Sequence, residues 1–377
     1  MATSQNRMRF ACQGSCLPPI AMENLGVVIL TGIRHNLVCL GTYKKMEANV
    51  VKVKTCSGSE GASNTSKWSG FFLMGLTDDP QLQPILFVLF FFVYAFTVVG
   101  NLGLLSLITV SPKLHTPMYY FLKNLSFLDF CYSSVTVPKM LMGFSECQSI
   151  SFSGCLVQNA LFVVFVVTEF FLLASMAYDR YVAVCNPLLY HTTMSSRLCL
   201  QLVAASYAVG LLEMVFLTST IFHLIFCKSH IIAHYFCDIQ PLLKLSCSDT
   251  QIVQFILYAC SSFNVSVSLT VILVSYTYVF LAIFRIPSSK GKHKTFSTCA
   301  SHLTAVSLYY GTTVFVYMRP STEYTLGKDS LVSVFYTVVI PMLNPVIYSL
   351  RNKDVKETFG NIFKRTSQFS ILIPRFS

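Results

Sequence analysis

The chain has 377 residues, 54% of them apolar and only 11% charged, with a mean hydropathy of +0.60 and a formal net charge of +11. A soluble domain carries about a quarter charged residues, so a chain this long with so little charge cannot wet its own surface unless lipid covers much of it. The positive balance does not point to a nucleic-acid partner, because the basic residues fall mainly in short loops beside apolar spans.

Residues 1–66 are polar and weakly basic and lack the clean apolar core of a signal peptide. Val27–Leu40 is mildly apolar but broken by Arg34 and His35. The expectation is a disordered leader, with Met46 as an alternative start. The sequon Asn64-Thr-Ser66 lies just before the first span and is a glycosylation candidate.

A spanning helix needs about 20 mostly apolar residues, and windows of that size give seven spans. The first, Pro84–Val110, is free of charge; the second, Met118–Met142, holds Lys123, Asp129 and Lys139. The third, Gly154–Tyr178, contains Glu169, and the fourth, Leu198–Phe222, contains Glu213. The fifth, Ile252–Phe284, is charge-free; the sixth, Phe296–Met318, holds His302; the seventh is Leu331–Leu350. Spans two, four and six are the more amphipathic, but odd spans that end in polar loops need even spans to return the chain. The fold class is therefore all-α, a seven-transmembrane helix bundle.

Lysines and arginines in short loops set the orientation. One side carries twelve: Lys113, Arg180, Arg197, Arg285, Lys290, Lys292, Lys294, Arg351, Lys353, Lys356, Lys364 and Arg365. The other carries Lys228, Lys244, Arg319 and Lys328, and Trp68–Gln83 before span one has no Lys or Arg but has Asp78 and Asp79. The N-terminus is expected outside and the C-terminus in the cytoplasm.

The third span serves as a ruler. Cys155 to Arg180 is about 37 Å of helix at 1.5 Å per residue, which puts Cys155 at the outer surface and Arg180 at the inner one. Glu169 stands about three turns before Arg180 on nearly the same face. An intramembrane carboxylate is costly and marks a functional site by default. Arg180 could pair with Asp179 or simply snorkel. Asn344-Pro345 interrupts the last span, since proline removes a backbone bond, and Tyr348 follows on the same face. With Asn101, Asp129 and Glu169 these residues suggest a polar interior cluster. The outer connection His223–Gln251 holds Cys227, Cys237 and Cys247. Exposed to an oxidising compartment, they and Cys155 should pair, in any of three ways; a zinc site is less well supported by the ligand spacing. Cys147 receives no role, and Lys123 and Glu213 are read as bundle-facing or interfacial residues.

Met176-Ala-Tyr-Asp-Arg-Tyr-Val-Ala-Val-Cys185 resembles the third-helix signature of odorant (olfactory) receptors, in the rhodopsin-like (class A) G-protein-coupled receptor family. Gly100-Asn101, Leu114-His-Thr-Pro-Met-Tyr119, Leu125-Ser-Phe-Leu-Asp129, Ser275-Tyr276, Lys294-Thr-Phe-Ser-Thr-Cys-Ala-Ser-His302 and Pro341-Met-Leu-Asn-Pro-Val-Ile-Tyr348, followed by Ser-Leu-Arg-Asn352, match the same family in order. The match covers roughly Gly70–Lys364. Tyr120 and Thr295 depart from it, standing where the family usually has Phe and Ala.

The resemblance implies a receptor domain over 67–365, a leader over 1–66 that is atypically long, a short cytoplasmic amphipathic helix after the seventh span, and a cytoplasmic tail over 366–377. It implies a multi-pass plasma-membrane receptor, without cofactor, that binds a small volatile or apolar ligand. Its partner would be a heterotrimeric G protein with a Gs-type olfactory α subunit, raising cAMP. It assigns the switch to Asp179, Arg180, Tyr181, Tyr276, His302, Asn344, Pro345 and Tyr348, and a sodium or water site to Asp129 and Glu169 beside Asn101. It pairs Cys155 with Cys237 and Cys227 with Cys247.

An apolar ligand calls for a concave, mostly apolar cavity. Counting from the motifs, its wall is expected at Phe162, Val163, Val166 and Val167 on the third helix, and Cys260, Ser261 and Asn264 on the fifth. Tyr310, Thr313 and Tyr317 on the sixth and Thr337 on the seventh complete it, although bundle packing is the plainer reading of each. The resemblance makes Tyr310 the sixth-helix toggle. No carboxylate stands at Phe162 or nearby to fix an amine, which argues against an amine receptor. A retinal pigment lacks its lysine in span seven, a transporter its internal repeat, and an enzyme any nucleophile with a partner. The remaining alternative is a receptor of the same family for a non-odorant metabolite outside the nose.

Overall fold

The computed structural model describes residues 70–77, 79–144, 148–227, 230–318, 328–350 and 354–360, all within the unit Lys67–Ser377. The leader with Asn64, the tail over 366–377, and Cys147 lie outside the described residues, as do Asp78, Lys228, Arg319, Arg351, Lys353, Lys364 and Arg365 of the charge asymmetry.

Among the described residues seven long helical rods follow one another, the first six being α1 Leu82–Val110, α2 Pro117–Met142, α3 Phe152–Cys185, α4 Ser196–Phe222, α5 Gln251–Arg285 and α6 Ser289–Tyr317. The last, α7, joins Lys328–Val334 to Ile340–Leu350 through a π-helical turn, Phe335–Val339. Local chemistry explains most of the ends. The Asp79 carboxylate accepts from the Gln81 amide at 2.9 Å before α1, and Pro117 opens α2, where its missing N–H costs nothing. The hydroxyls of Ser151, Ser195 and Ser288 cap α3, α4 and α6 by accepting amides three residues on. Asn186-Pro187 and Ile286-Pro287 stop α3 and α5.

Two helices outrun their apolar windows: α3 continues to Cys185 rather than Tyr178, and α6 begins at Ser289 rather than Phe296. A hydropathy window finds the lipid-embedded stretch, while helical hydrogen bonding continues through polar residues beyond it.

Five rods (α1, α3, α4, α5 and Ser330–Ser349 of α7) are long and apolar enough to cross a membrane by length and composition. The shortfall of α2 and α6 has a physical cause, because their polar side chains point inward. Ser126, Asp129, Ser133 and Thr136 of α2 and Ser301, His302 and Thr313 of α6 are buried. Conversely α1, α4 and α5 present large exposed hydrophobics, among them Phe92, Val99, Leu212, Phe255 and Phe284, a surface suited to lipid.

The rod α3 runs through the middle, with 78% of its apolar window buried against 11% for α1. Its close approach to α4 depends on Gly210, where a Cβ would stand 2.8 Å from the Val164 carbonyl oxygen and 2.9 Å from the Thr168 hydroxyl. Small residues allow such backbone proximity between lipid-embedded helices.

An all-α reading misses one feature. Three short strands, β1 Gly70–Leu73, β2 Ser149–Ser151 and β3 Ile231–Ile232, form a sheet of order β2-β1-β3, antiparallel between β1 and β2 and parallel between β1 and β3. Gly70 is required there, since a Cβ would fall 2.6 Å from the Ile150 carbonyl oxygen. At the opposite end of the bundle, residues 354–360 form a helical turn with Val355 and Thr358 buried and neighbours 354, 356, 357 and 359 exposed. Lys113 pairs with Glu357 at 3.2 Å.

Candidate functional site

At the sheet-bearing end, the chain between α4 and α5 folds over the bundle. A disulfide joins Cys155 at the head of α3 to Cys237, with Cα atoms 5.4 Å apart, and a second joins Cys227 to Cys247 at 5.8 Å. Between them Asp238 caps a short helix, Ile239–Leu245. Hydrogen bonds then tie this loop down. The Cys237 amide donates to Gln158 Oε1 at 3.0 Å, and Asn159 donates to the Cys237 carbonyl at 3.3 Å, both on α3. Tyr317 of α6 donates its hydroxyl to Asp238 Oδ2 at 3.2 Å. The Tyr235 hydroxyl bonds Thr337 Oγ1 at 2.7 Å, and His234 Nε2 lies 3.1 Å from Ser333 Oγ, both on α7. The Phe236 amide donates to His234 Nδ1, so the neutral ring is the Nε2–H tautomer and donates to Ser333. Burial pushes the His234 imidazole down to about 3 and the Asp238 carboxyl up to about 6, because desolvation penalises the charged form of each.

Beneath this loop lies a cavity with about 50 Å³ of room for the centres of water molecules. Phe162, Val163, Val166 and Val167 of α3, Cys260, Ser261 and Asn264 of α5, and Thr313 and Tyr317 of α6 line it. Tyr310 and Thr337, also expected in the wall, are not among its lining residues. The Tyr310 ring stands 5.2 Å from that of Phe170, which does line it, and Thr337 is occupied in holding Tyr235.

The structure also corrects one expectation. Carboxylates are near Phe162 after all: Glu213 of α4 and Asp238 of the loop both line the same cavity. Glu213 Oε2 accepts from Asn264 Nδ2 at 3.0 Å. Sequence reading missed both, since nothing local says which face of α4 meets α5 or that Asp238 folds inward; a lone carboxylate in an apolar span was the available signal. Lys123 lines a separate groove with His115, Tyr120 and Cys199 near the other end.

Deeper in, a polar seam crosses the bundle. Asn344 Nδ2 donates to Asp129 Oδ2 at 2.9 Å, linking α7 to α2, and Asn101 Nδ2 donates to the Pro341 carbonyl at 2.9 Å, linking α1 to α7. Glu169 is buried as well. Asn101 Oδ1, Asp129 Oδ1, Glu169 Oε1 and Asn344 Oδ1 are buried acceptors without a partner among the described residues. Such a set of hard oxygens fits a hard monovalent cation or ordered water. Among the described residues no cluster of three or more His, Cys, Asp or Glu could hold a metal ion, so the amide oxygens would have to contribute. Tyr348 is near this seam in sequence register, with its hydroxyl likewise buried and unpartnered among the described residues.

At the far end of α3, Arg180 Nη2 lies 3.9 Å from Asp179 Oδ2, and the Tyr190 hydroxyl donates to Asp179 Oδ1 at 2.8 Å. The Tyr276 hydroxyl of α5 bonds His302 Nδ1 of α6 at 2.8 Å, with the rings stacked. The Tyr181 ring stands 5.7 Å from that of Tyr278 on α5. Pro345 packs near Gly100 on α1, where a Cβ would meet it at 3.5 Å.

Comparison with known proteins places these features in a family. The family model described as olfactory receptor matches residues 90–366. Olfactory receptor 5T9 of Mus musculus is 52% identical over 304 residues, covering 80% of this chain and 92% of the relative. Olfactory receptor 8U9 of Homo sapiens is 52% identical over 300 residues, covering 79% and 97%. Olfactory receptor 5M5 of Mus musculus is 50% identical over 303 residues, covering 80% and 95%.

Proposed function

The chain belongs to the olfactory receptor family, a family of membrane receptors and not of enzymes, and from that premise we propose how it senses and signals. Its seven helices each cross the plasma membrane, with the disulfide end and N-terminus outside and the Arg180 end and C-terminus in the cytoplasm. The receptor domain occupies 67–365, the segments 1–66 and 366–377 serve as leader and cytoplasmic tail, and Asn64 carries a glycan.

A small, mostly apolar odorant binds in the outer half of the bundle, in the cavity under the loop. The observation that carries this reading is the direct packing of the cavity wall on α3 and α5 against the aromatic residues of α6. Phe170 lines the cavity and packs edge-on against both Tyr309 and Tyr310. Tyr309 donates to the Val166 carbonyl on the cavity wall at 2.7 Å. Tyr310 donates to Ser268 at 2.6 Å, and Ser268 in turn donates to the carbonyl of Asn264, also on the wall. A ligand that fits one arrangement of these aromatics better than another shifts the population toward it.

The response leaves through Asp179, Arg180 and Tyr181, Tyr276, His302, Asn344, Pro345 and Tyr348. Helix α6 swings outward with its Lys290–Lys294 stretch, and the opened groove engages a Gs-type olfactory α subunit, raising cAMP. Asp129 and Glu169, with the amide oxygens of Asn101 and Asn344, would hold a sodium ion in the resting state. Bound there, the ion would offset two carboxylates that low dielectric otherwise keeps from ionising together.

A cAMP reporter in cells displaying the full chain, challenged with a broad odorant panel, tests the scheme. Arg180→Ala should abolish the response with surface level unchanged, and Val166→Trp, which fills the cavity, should abolish it at the ligand end. A full response in either variant rejects the corresponding half of the mechanism.

A further inference from the structure

The cavity wall is asymmetric in its chemistry. Among the described residues that line it are two carboxylates, Glu213 and Asp238, and no Lys, Arg or His. Asp238 is already well engaged, accepting from the Ile239 amide at 2.7 Å and from Tyr317. Glu213 is not. Its Oε2 accepts a single hydrogen bond, from Asn264, and its Oε1 has no partner among the described residues. Asn264 is 3% exposed, and its own Oδ1 has no partner either. Ser261, nearly one turn before Asn264 on α5, adds a hydroxyl to the same wall. One end of a mostly apolar cavity therefore presents a carboxylate oxygen and a buried amide oxygen, both acceptors, both waiting for a donor.

Building on the reading that this cavity holds the ligand, we propose that the receptor is selective for small amines, with the ammonium group held by Glu213 and the Asn264 carbonyl oxygen and the hydrocarbon tail lying along Val163, Val166 and Phe162. An ammonium carries three donors and no acceptor, which matches the two orphan acceptors and the Ser261 hydroxyl. A charge-assisted bond between ammonium and carboxylate is also about twice as strong as a neutral one. A carboxylic acid of the same length meets only like charge and finds no cation. An alcohol offers one donor and no charge, so it binds more weakly. Asp238, at the loop side, adds negative potential that favours a cation without giving up its own partners.

The test uses the purified full chain and reads binding directly, as the rise in melting temperature that a ligand produces by favouring the folded state. The probes are butylamine, hexylamine and benzylamine, each with its matching alcohol and carboxylate. The expected result is a clear rise with the amines, a smaller one with the alcohols, and none with the carboxylates. Glu213→Gln keeps an acceptor of the same shape but removes the charge. It should weaken amine binding by about tenfold or more and leave alcohol binding nearly unchanged. Asn264→Ala should weaken the amines as well, and Val166→Trp should remove all binding.

Several results overturn the proposal: no shift with any amine, carboxylates equal to amines, or Glu213→Gln weakening amines and alcohols alike. A preference for alcohols that Val166→Trp abolishes rejects the amine class but leaves the cavity as the ligand site. Amine shifts that survive Val166→Trp reject the cavity itself, and with it the functional reading on which this inference rests.

Discussion

The two ends of the bundle are closed by different chemistry. At the Cys155 end the α4–α5 loop is stitched by two disulfides, paired with β1, and hydrogen-bonded to α3, α6 and α7 through Cys237, Asp238, Tyr235 and His234. At the Arg180 end the contacts are a long ion pair within α3, the Tyr190–Asp179 bond, the Tyr276–His302 bond and the exposed Lys113–Glu357 pair. The first is a covalently fixed cover; the second is a latch of single interactions, each contributing about 1 kcal/mol or less. On the function proposed above, a rearrangement started under the cover would find its cheapest release at the latch, which would put ligand binding and the conformational response at opposite ends.

The largest effects should come from cutting the cover. Cys155→Ser or Cys237→Ser removes a crosslink spanning 82 residues, whereas Cys227→Ser or Cys247→Ser removes one spanning 20. Losing a disulfide costs about 2–5 kcal/mol, and loop-closure entropy makes the longer crosslink worth about 1 kcal/mol more. Surface display of an N-terminally tagged chain, measured by flow cytometry, should nearly vanish for the first pair and fall partly for the second. Equal display of both, or normal display of the first, would mean that the loop does not depend on its crosslinks as described.

Within the cover, two buried groups pull in opposite directions with pH. Asp238 titrates near 6 in the folded chain against an ordinary 3.8, so between those values the folded state holds the extra proton. Its contribution is present below about 4 and is lost as pH rises through 6. His234 titrates near 3 against an ordinary 6.5, so the unfolded state holds the extra proton and stability falls as pH drops below 6.5. The groups facing them are the hydroxyls of Tyr317, Tyr235 and Ser333, which stay neutral in this range. One proton of difference changes stability by about 1.4 kcal/mol per pH unit, and the two terms largely cancel between pH 4 and 6. Asp238→Asn should expose the His234 slope, with the melting temperature falling on acidification. His234→Gln should expose the opposite slope. Two variants with slopes of the same sign would show that the loop is not closed by these two groups.

What the sequence disclosed and what it hid divide along physical lines. Apolar windows locate helices because lipid burial is a property of the segment itself, and the cavity residues of α3 and α5 could be counted from motifs because a helix repeats regularly. Glu213 with Asn264, 51 residues apart, could not be paired, since helix rotation is set by neighbours such as the Gly210 contact with α3. Nor does β1 announce itself: four residues, Gly-Phe-Phe-Leu, gain their strand only from partners at Ser149–Ser151 and Ile231–Ile232. Asp238 reads as an ordinary loop residue until the disulfide beside it turns the loop inward.

The smallest perturbation separates cover from latch most sharply. The Tyr276 hydroxyl and His302 are both buried, and their bond ties α5 to α6 at the Arg180 end. Tyr276→Phe keeps the ring and its stacking but removes one hydrogen bond and leaves His302 Nδ1 without that partner, which weakens the closed arrangement by about 1 kcal/mol. Ligand-free cAMP should then rise roughly fivefold, since 1 kcal/mol is about that factor in a two-state ratio. Tyr235→Phe removes a bond of similar strength at the other end, between the loop and Thr337. It should change the ligand concentration needed for a response while leaving ligand-free cAMP where it was. If Tyr235→Phe raises the ligand-free signal as much as Tyr276→Phe does, the two ends are one switch, and the division of labour between a fixed cover and a movable latch is wrong.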